Sequence, residues 1–196
     1  MEHAMSRAIR FTVADIESLP DPLDDTRYEL IDGELLVAKQ PQWGHQYASL
    51  ALGSALHIWS LQTGRGFAGL APGLIFSPED GVAPDVVWIS RERRARGVRA
   101  DGHLYEAPEL VVEILSPGSA NERRDRDLKL KLYAREGVDE YWIVDWRARS
   151  VAVYRRAGDA LALTGTLTGA DELTSPHLPG FAMPVPELWE PPLDDA

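Results

Sequence analysis

The run Leu110-Val111-Val112-Glu113-Ile114-Leu115 does not alternate between apolar and polar residues, so a strand formed there must be buried on both faces. Such a strand belongs in the middle of a sheet with helices packed against it. Its one acid, Glu113, is then an expensive residue, because a carboxylate in a low-dielectric sheet must be matched by a cation or by hydrogen-bond donors. A second run, Pro84-Asp85-Val86-Val87-Trp88-Ile89, repeats the pattern with Asp85. Alternation puts Asp85 on the face of Val87 and Ile89, and Glu113 on the face of Val111 and Leu115. Two acids among apolar neighbours point to a metal site.

The helix expected over residues 121–136 supplies a partner. At about 100° per residue, Lys129 falls on the apolar face with Asp125, Leu128, Leu132 and Tyr133, whereas Lys131 points away. An inward lysine needs a carboxylate, and Asp125, one turn earlier, could hold it as an i, i+4 pair or cap the helix start. His45 lies on the apolar face of a second expected helix, residues 45–62, near its start. Glu34 lies on a hairpin whose turn, Asp32-Gly33, separates Tyr28-Glu29-Leu30-Ile31 from Glu34-Leu35-Leu36-Val37. His45 and Glu34 are candidates to complete the site.

Strands are expected over 66–77, 82–90, 110–115, 141–144 and 150–155, with a charged connection over 91–102, a short strand pair after 156 and a Pro-rich tail wrapping the core. Strands come first, then a strand–helix–strand unit, which is an α/β sheet with helices against it. No glycine-rich dinucleotide or phosphate-binding loop is present, so a Rossmann domain is not expected. With 196 residues and 44% hydrophobic content, one core is expected: a single domain over 1–196, with a lead-in (1–27), a core (28–156), and C-terminal strands and tail (157–196).

The absence of cysteine restricts any metal site to oxygen and nitrogen ligands. No apolar stretch reaches signal-peptide or membrane-span length, so a soluble, cytoplasmic protein is expected. A net charge of −11 opposes unspecific attraction to nucleic acid, yet eleven of the twenty basic residues lie between Arg91 and Arg135.

The segments Tyr28 to Leu35, Pro84-Asp85-Val86-Val87, Val111 to Pro117, Asp125 with Lys129 and Tyr133, Gly137 to Asp145 and Leu178-Pro179-Gly180 together resemble the Uma2 family (DUF820) of restriction-endonuclease-like proteins, within the PD-(D/E)XK nuclease superfamily. The resemblance implies a restriction-endonuclease-like fold: a mixed central β-sheet flanked by α-helices, here with an N-terminal β-hairpin. It implies Mg²⁺ or Mn²⁺ held by Asp85, Glu113 and the backbone carbonyl of Ile114, with Lys129 assisting hydrolysis of a nucleic-acid phosphodiester, DNA foremost. It also favours a homodimer. The superfamily's lysine stands two residues after the second acid, where this chain has Leu115; Lys129, from the following helix, takes its place. Two rivals stand beside this reading. One is a nuclease fold kept as a binding or structural module without turnover. The other is a glycosidase whose acid pair is Asp85 and Glu113, which would call for exposed aromatics such as Trp43, Trp59 and Trp88 around the acids.

Overall fold

The computed structural model describes residues 9–19, 27–38 and 40–191. Most of the expected lead-in and the last five residues therefore lie outside the described part. A short helix, α1 (Val13–Glu17), is closed by a capping box between Thr12 and Asp15. The hairpin follows as β1 (Arg27–Ile31) and β2 (Glu34–Ala38) in antiparallel register. Its turn residues Asp32 and Gly33 have φ of 51° and 73°. A two-residue turn that fits the twist of its strands needs positive φ at both positions, which is why Asp-Gly stands there.

Helix α2 (Trp43–Thr63) buries His45, Ala48, Leu52, Leu56 and Trp59, the expected face, and ends on left-handed Gly64. The expected strand over 66–77 is two strands, β3 (Gly66–Leu70) and β4 (Leu74–Ser77). Pro72 lacks an N–H for the ladder and Ala71 takes a φ of 45°, so the chain leaves one sheet for another between them. The expected strand over 82–90 is likewise divided by Pro84 into β5 (Asp80–Val82) and β6 (Val86–Ser90). Residues 91–97 of the expected connection form a helix, α3 (Arg91–Gly97), whose first turn is capped by the Ser90 side chain.

The apolar run forms β7 (Leu110–Ile114), buried at every position. Beyond it come α4 (Ser119–Arg123), a π-helical turn (Arg124–Leu128) and α5 (Lys129–Glu136), ended by left-handed Gly137. Strands β8 (Glu140–Asp145), β9 (Ser150–Ala157) and β10 (Ala160–Thr168) follow. The chain after residue 156 thus carries a nine-residue strand besides the short pair β11 (Glu172–Leu173) and β12 (Met183–Pro184).

The central sheet has six strands in the order β10-β9-β8-β7-β6-β3. Only β7 and β8 run parallel; the helical segment from α4 to α5 carries the chain back to the same end between them. A smaller sheet, β2-β1-β5-β4, lies apart from it. One face of the central sheet (Val86, Trp88, Val112, Trp142) packs on α2 and on the tail residues Val185 and Leu188. The other (Val87, Val111, Leu115, Tyr141) packs on Leu132 and Tyr133 of α5 and on Ile31, Leu74 and Val82 of the small sheet. The tail residues Val185 and Leu188 are fully buried. No helix among the described residues is long and apolar enough to cross a membrane.

Candidate active site

Strands β6 and β7 pair Val86 with Val112 and Val87 with Val111, so the same register carried one step further sets Asp85 opposite Glu113. Both stand at the carboxyl end of β7. Glu113 sits on the face covered by α5 and the small sheet, and there it meets Lys129. The ammonium Nζ donates to Glu113 Oε1 at 2.9 Å and to Glu29 Oε1 at 2.9 Å, with Asp125 Oδ1 at 3.9 Å. The Tyr133 hydroxyl donates to the same Glu113 oxygen at 2.6 Å. Lys129 and Tyr133 are one helical turn apart, so α5 presents both donors to one carboxylate.

Asp85 is held differently. The Ile114 N–H donates to its Oδ2 at 2.8 Å, and His45 Nε2 lies 3.2 Å from the same oxygen. The residue before β6 and the first turn of α2 thus bring Asp85 and His45 together. Among the described residues, Asp85 Oδ1 and Glu113 Oε2 accept no hydrogen bond. The two residues line a small pocket of about 40 Å³ with Arg27, Glu29, His45, Ser116, Arg124 and Lys129. One water needs on the order of 10–15 Å³ of such space, so a few waters or one ion fit.

The electrostatics follow from burial. Glu113 is 3% exposed, and desolvation pushes its carboxyl up to about 8; the nearby acids Asp85, Asp125 and Glu29 push the same way, and Lys129 opposes them. At Lys129 burial disfavours the charge, but Glu113, Glu29 and Asp125 outweigh it and raise its pKa above the ordinary lysine value. At Asp85 burial also acts upward, yet the His45 contact and the Ile114 N–H hold the carboxyl below its usual range. Tyr133 is raised well above 10 by burial and by Glu113, so its hydroxyl remains a donor. Four carboxylates (Glu29, Asp85, Glu113, Asp125) face two buried cations, Lys129 and Arg124.

The structure brings together Asp85, Glu113, Lys129, His45, Asp125 and Tyr133. Glu34 stands apart: it is exposed at the start of β2 and does not line the pocket, because it faces Ile31 at the turn end of the hairpin, two residues beyond the Glu29–Leu36 pair. Its place is taken by Glu29, whose Oε1 also accepts from the Ala83 N–H at 2.9 Å. The signal for Glu29 was an acid inside the apolar run 28–31, the same oddity that marks Glu113. Arg124, buried by the π-helical turn and donating to Asp125 Oδ1 at 3.0 Å, was also missed. Trp59 and Trp88 are core residues, whereas Trp43 is exposed; no Trp, Tyr or Phe lines the acid pocket itself, which weighs against a sugar cleft built around Asp85 and Glu113.

Two further buried acids serve as a contrast. Glu109 pairs with Arg93, and Glu140 accepts from Trp142, Arg155 and Ser175, all at the amino end of β7 and β8. These acids are matched by donors of their own. Asp85 and Glu113, at the carboxyl end of β7, each keep one oxygen without a donor among the described residues and line a pocket, at the strand end where parallel sheets commonly bind ligands.

A mixed six-stranded sheet with helices on both faces, and with paired acids and a lysine at one strand end, defines a restriction-endonuclease-like protein. Residues 13–186 match the model of the Uma2 family, described as "Putative restriction endonuclease", and the chain belongs to that family. A solved structure described as "a putative nuclease belonging to DUF820" from Anabaena variabilis ATCC 29413 superposes with a TM-score of 0.72 at 17% identity, over 91% of this chain and 97% of that one. The type IIG restriction endonuclease BpuSI aligns with 62% of this chain and 13% of its own at 14% identity; its TM-score of 0.39 is too low to carry an argument. No curated protein matches the chain.

Proposed function

We propose that this chain is a metal-dependent nuclease that hydrolyses nucleic-acid phosphodiester bonds, with DNA as its first substrate. The observation that carries the proposal is the meeting of Asp85, Glu113 and Lys129 at one pocket, from a loop, a strand and a helix. Mg²⁺ or Mn²⁺ suits the residues present: Glu29, Asp85 and Glu113 bring carboxylates to the pocket lining, the hard oxygen ligands such ions take. Asp85, Glu113 and the Ile114 carbonyl would hold the ion, the last because N–H and C=O of one strand residue leave on the same side and its N–H points at Asp85. When bound, such an ion polarises the phosphate and lowers the pKa of water.

The chain's own groups do the rest. Asp85 stays ionised, oriented through Oδ2 by His45 and the Ile114 N–H. Glu113 holds or releases a proton in the neutral range. Lys129, fixed between Glu29 and Glu113, supplies positive charge where negative charge grows on the phosphate oxygens. Tyr133 keeps Glu113 in place through its hydroxyl. Nicking of supercoiled plasmid in Mg²⁺ tests the proposal. Glu113→Ala and Asp85→Asn should each abolish it, and unchanged nicking by either variant overturns the mechanism.

A second reading has an observation of its own. Among the described residues no group of three His, Asp or Glu side chains stands ready around one point, and Lys129 engages Glu29 and Glu113 at once. A nuclease fold retained as a binding module would look like this. Calorimetric titration with Mg²⁺ and Mn²⁺ separates the two: heat that disappears in Glu113→Ala supports the nuclease, and no heat supports the module. A homodimer would suit cutting both strands, and sedimentation of the full chain tests it.

A further inference from the structure

Of the six tryptophans, Trp59, Trp88 and Trp142 are in the core. The other three, Trp43, Trp146 and Trp189, line one groove of about 740 Å³ together with Arg147 and Arg149. That volume falls in the range of about 300–1,000 Å³ typical of ligand sites. Trp43 is 71% exposed, an uncommon state for so large an apolar ring. Its Nε1 donates to Glu190 Oε2 at 3.1 Å, which fixes the ring in its exposed position. Trp146 packs against the first turn of α2, where a Cβ on Gly44 would run into its six-membered ring.

The groove adjoins the acid pocket on two sides. Trp43 and Gly44 directly precede His45, which contacts Asp85. Trp146 Nε1 donates to the Leu115 carbonyl at 3.2 Å, one residue beyond the Ile114 that contacts Asp85. The charges differ across the groove. Arg147 is tied to Glu122 at 2.6 Å, whereas Arg149 makes no ion pair among the described residues. Aromatic faces beside a guanidinium without an ion pair among the described residues match a nucleotide: each base has a π-face to stack and each phosphate a charge to meet.

We propose that this groove takes unpaired nucleotides adjoining the cut phosphate, with a base stacked on Trp43 and a phosphate met by Arg149. The substrate class is then a single strand, or a duplex with flipped or frayed bases, rather than an intact helix. The proposal rests on reading the acid pocket as the place where a phosphodiester is cut.

Titration of the full chain with a dT8 single strand in EDTA, followed by tryptophan fluorescence, tests it without any hydrolysis. Saturable quenching is expected with dT8 and not with an eight-base-pair duplex. Trp43→Ala should lose most of the quench and weaken dT8 binding by about 5- to 150-fold, which is about 1–3 kcal/mol for one stacked base. Arg149→Gly, which suits the φ of 51° at that position, should weaken binding and reduce its salt slope by about one. Trp43 is exposed, so its variant is expected to fold as the parent does.

No quenching by dT8, or equal binding by Trp43→Ala, overturns the inference. So does a change of sedimentation on Trp43→Ala with dT8 binding unaltered, since the groove would then be a contact between two copies. Quenching without any plasmid nicking would overturn the nuclease reading alone, and Glu113-dependent nicking without quenching would overturn this one alone.

Discussion

Lys129 is 2% exposed and holds two carboxylates at hydrogen-bond distance. Removing one partner of such a buried pair leaves charge without compensation and typically costs about 3–5 kcal/mol. Lys129→Met should therefore lower unfolding free energy in urea by that order, and adding Glu113→Gln should restore part of it; a double variant as weak as the single would show that the two groups are not coupled. Glu113 also sets a pH dependence. Folding raises its carboxyl from 4.5 to about 8, so the folded chain keeps a proton that the unfolded chain has released. The resulting stability is complete below the unfolded value and lost as pH rises through about 8. Thermal melts should show Glu113→Gln gaining on the parent between pH 5 and pH 9, and parallel curves would refute the shift. At this scale the sequence disclosed most of the site, because an acid in an apolar run or a lysine on an apolar helix face is an energetic anomaly visible in one dimension. Glu34 carries no such anomaly, since a glutamate beside a hairpin turn is ordinarily solvated, whereas Glu29 does carry it, as an acid within the apolar run 28–31.

The π-helical turn Arg124–Leu128 decides how the second helix serves the site. Its one extra residue buries Arg124 and Asp125 while keeping Lys129 and Tyr133 inward, and such turns recur where a helix must aim several side chains at one spot. Deleting the exposed Asp127 should restore an ordinary helix and swing Asp125 by about 100° relative to Lys129. The expected result is a folded chain with a weaker Lys129 environment and lost nicking; retained nicking would show that the turn has no role. A uniform step of 100° per residue cannot reveal such a turn, which is why the wheel found Lys129 but not Arg124. Helix α3 escaped for another cause: its arginines are exposed almost all round, so no apolar stripe marks it. The two proline-divided strands show the converse, since composition there reads as strand while the missing N–H of Pro72 and Pro84 ends the ladder.

The whole molecule is closed by its last described turn. Val185 and Leu188 are fully buried against α2 and the central sheet, so Leu188→Ala should cost about 2–5 kcal/mol. Chemical denaturation followed by both tryptophan fluorescence and circular dichroism should report this loss in one transition, and a loss under 1 kcal/mol would mean that the tail only rests on the core. The central sheet and its two covered faces could be read from the non-alternating run, whereas the separate small sheet could not, because its pairing depends on contacts between segments far apart in the chain. The same separation has a consequence for synthesis. The hydrogen bond from Lys129 to Glu29 spans 100 residues, so a growing chain displays the first acid roughly 5–20 s before its lysine partner, at about 5–20 residues per second. The acid pocket cannot assemble on a ribosome-bound fragment that ends before residue 129, a point at which three of the six central strands are still to be made.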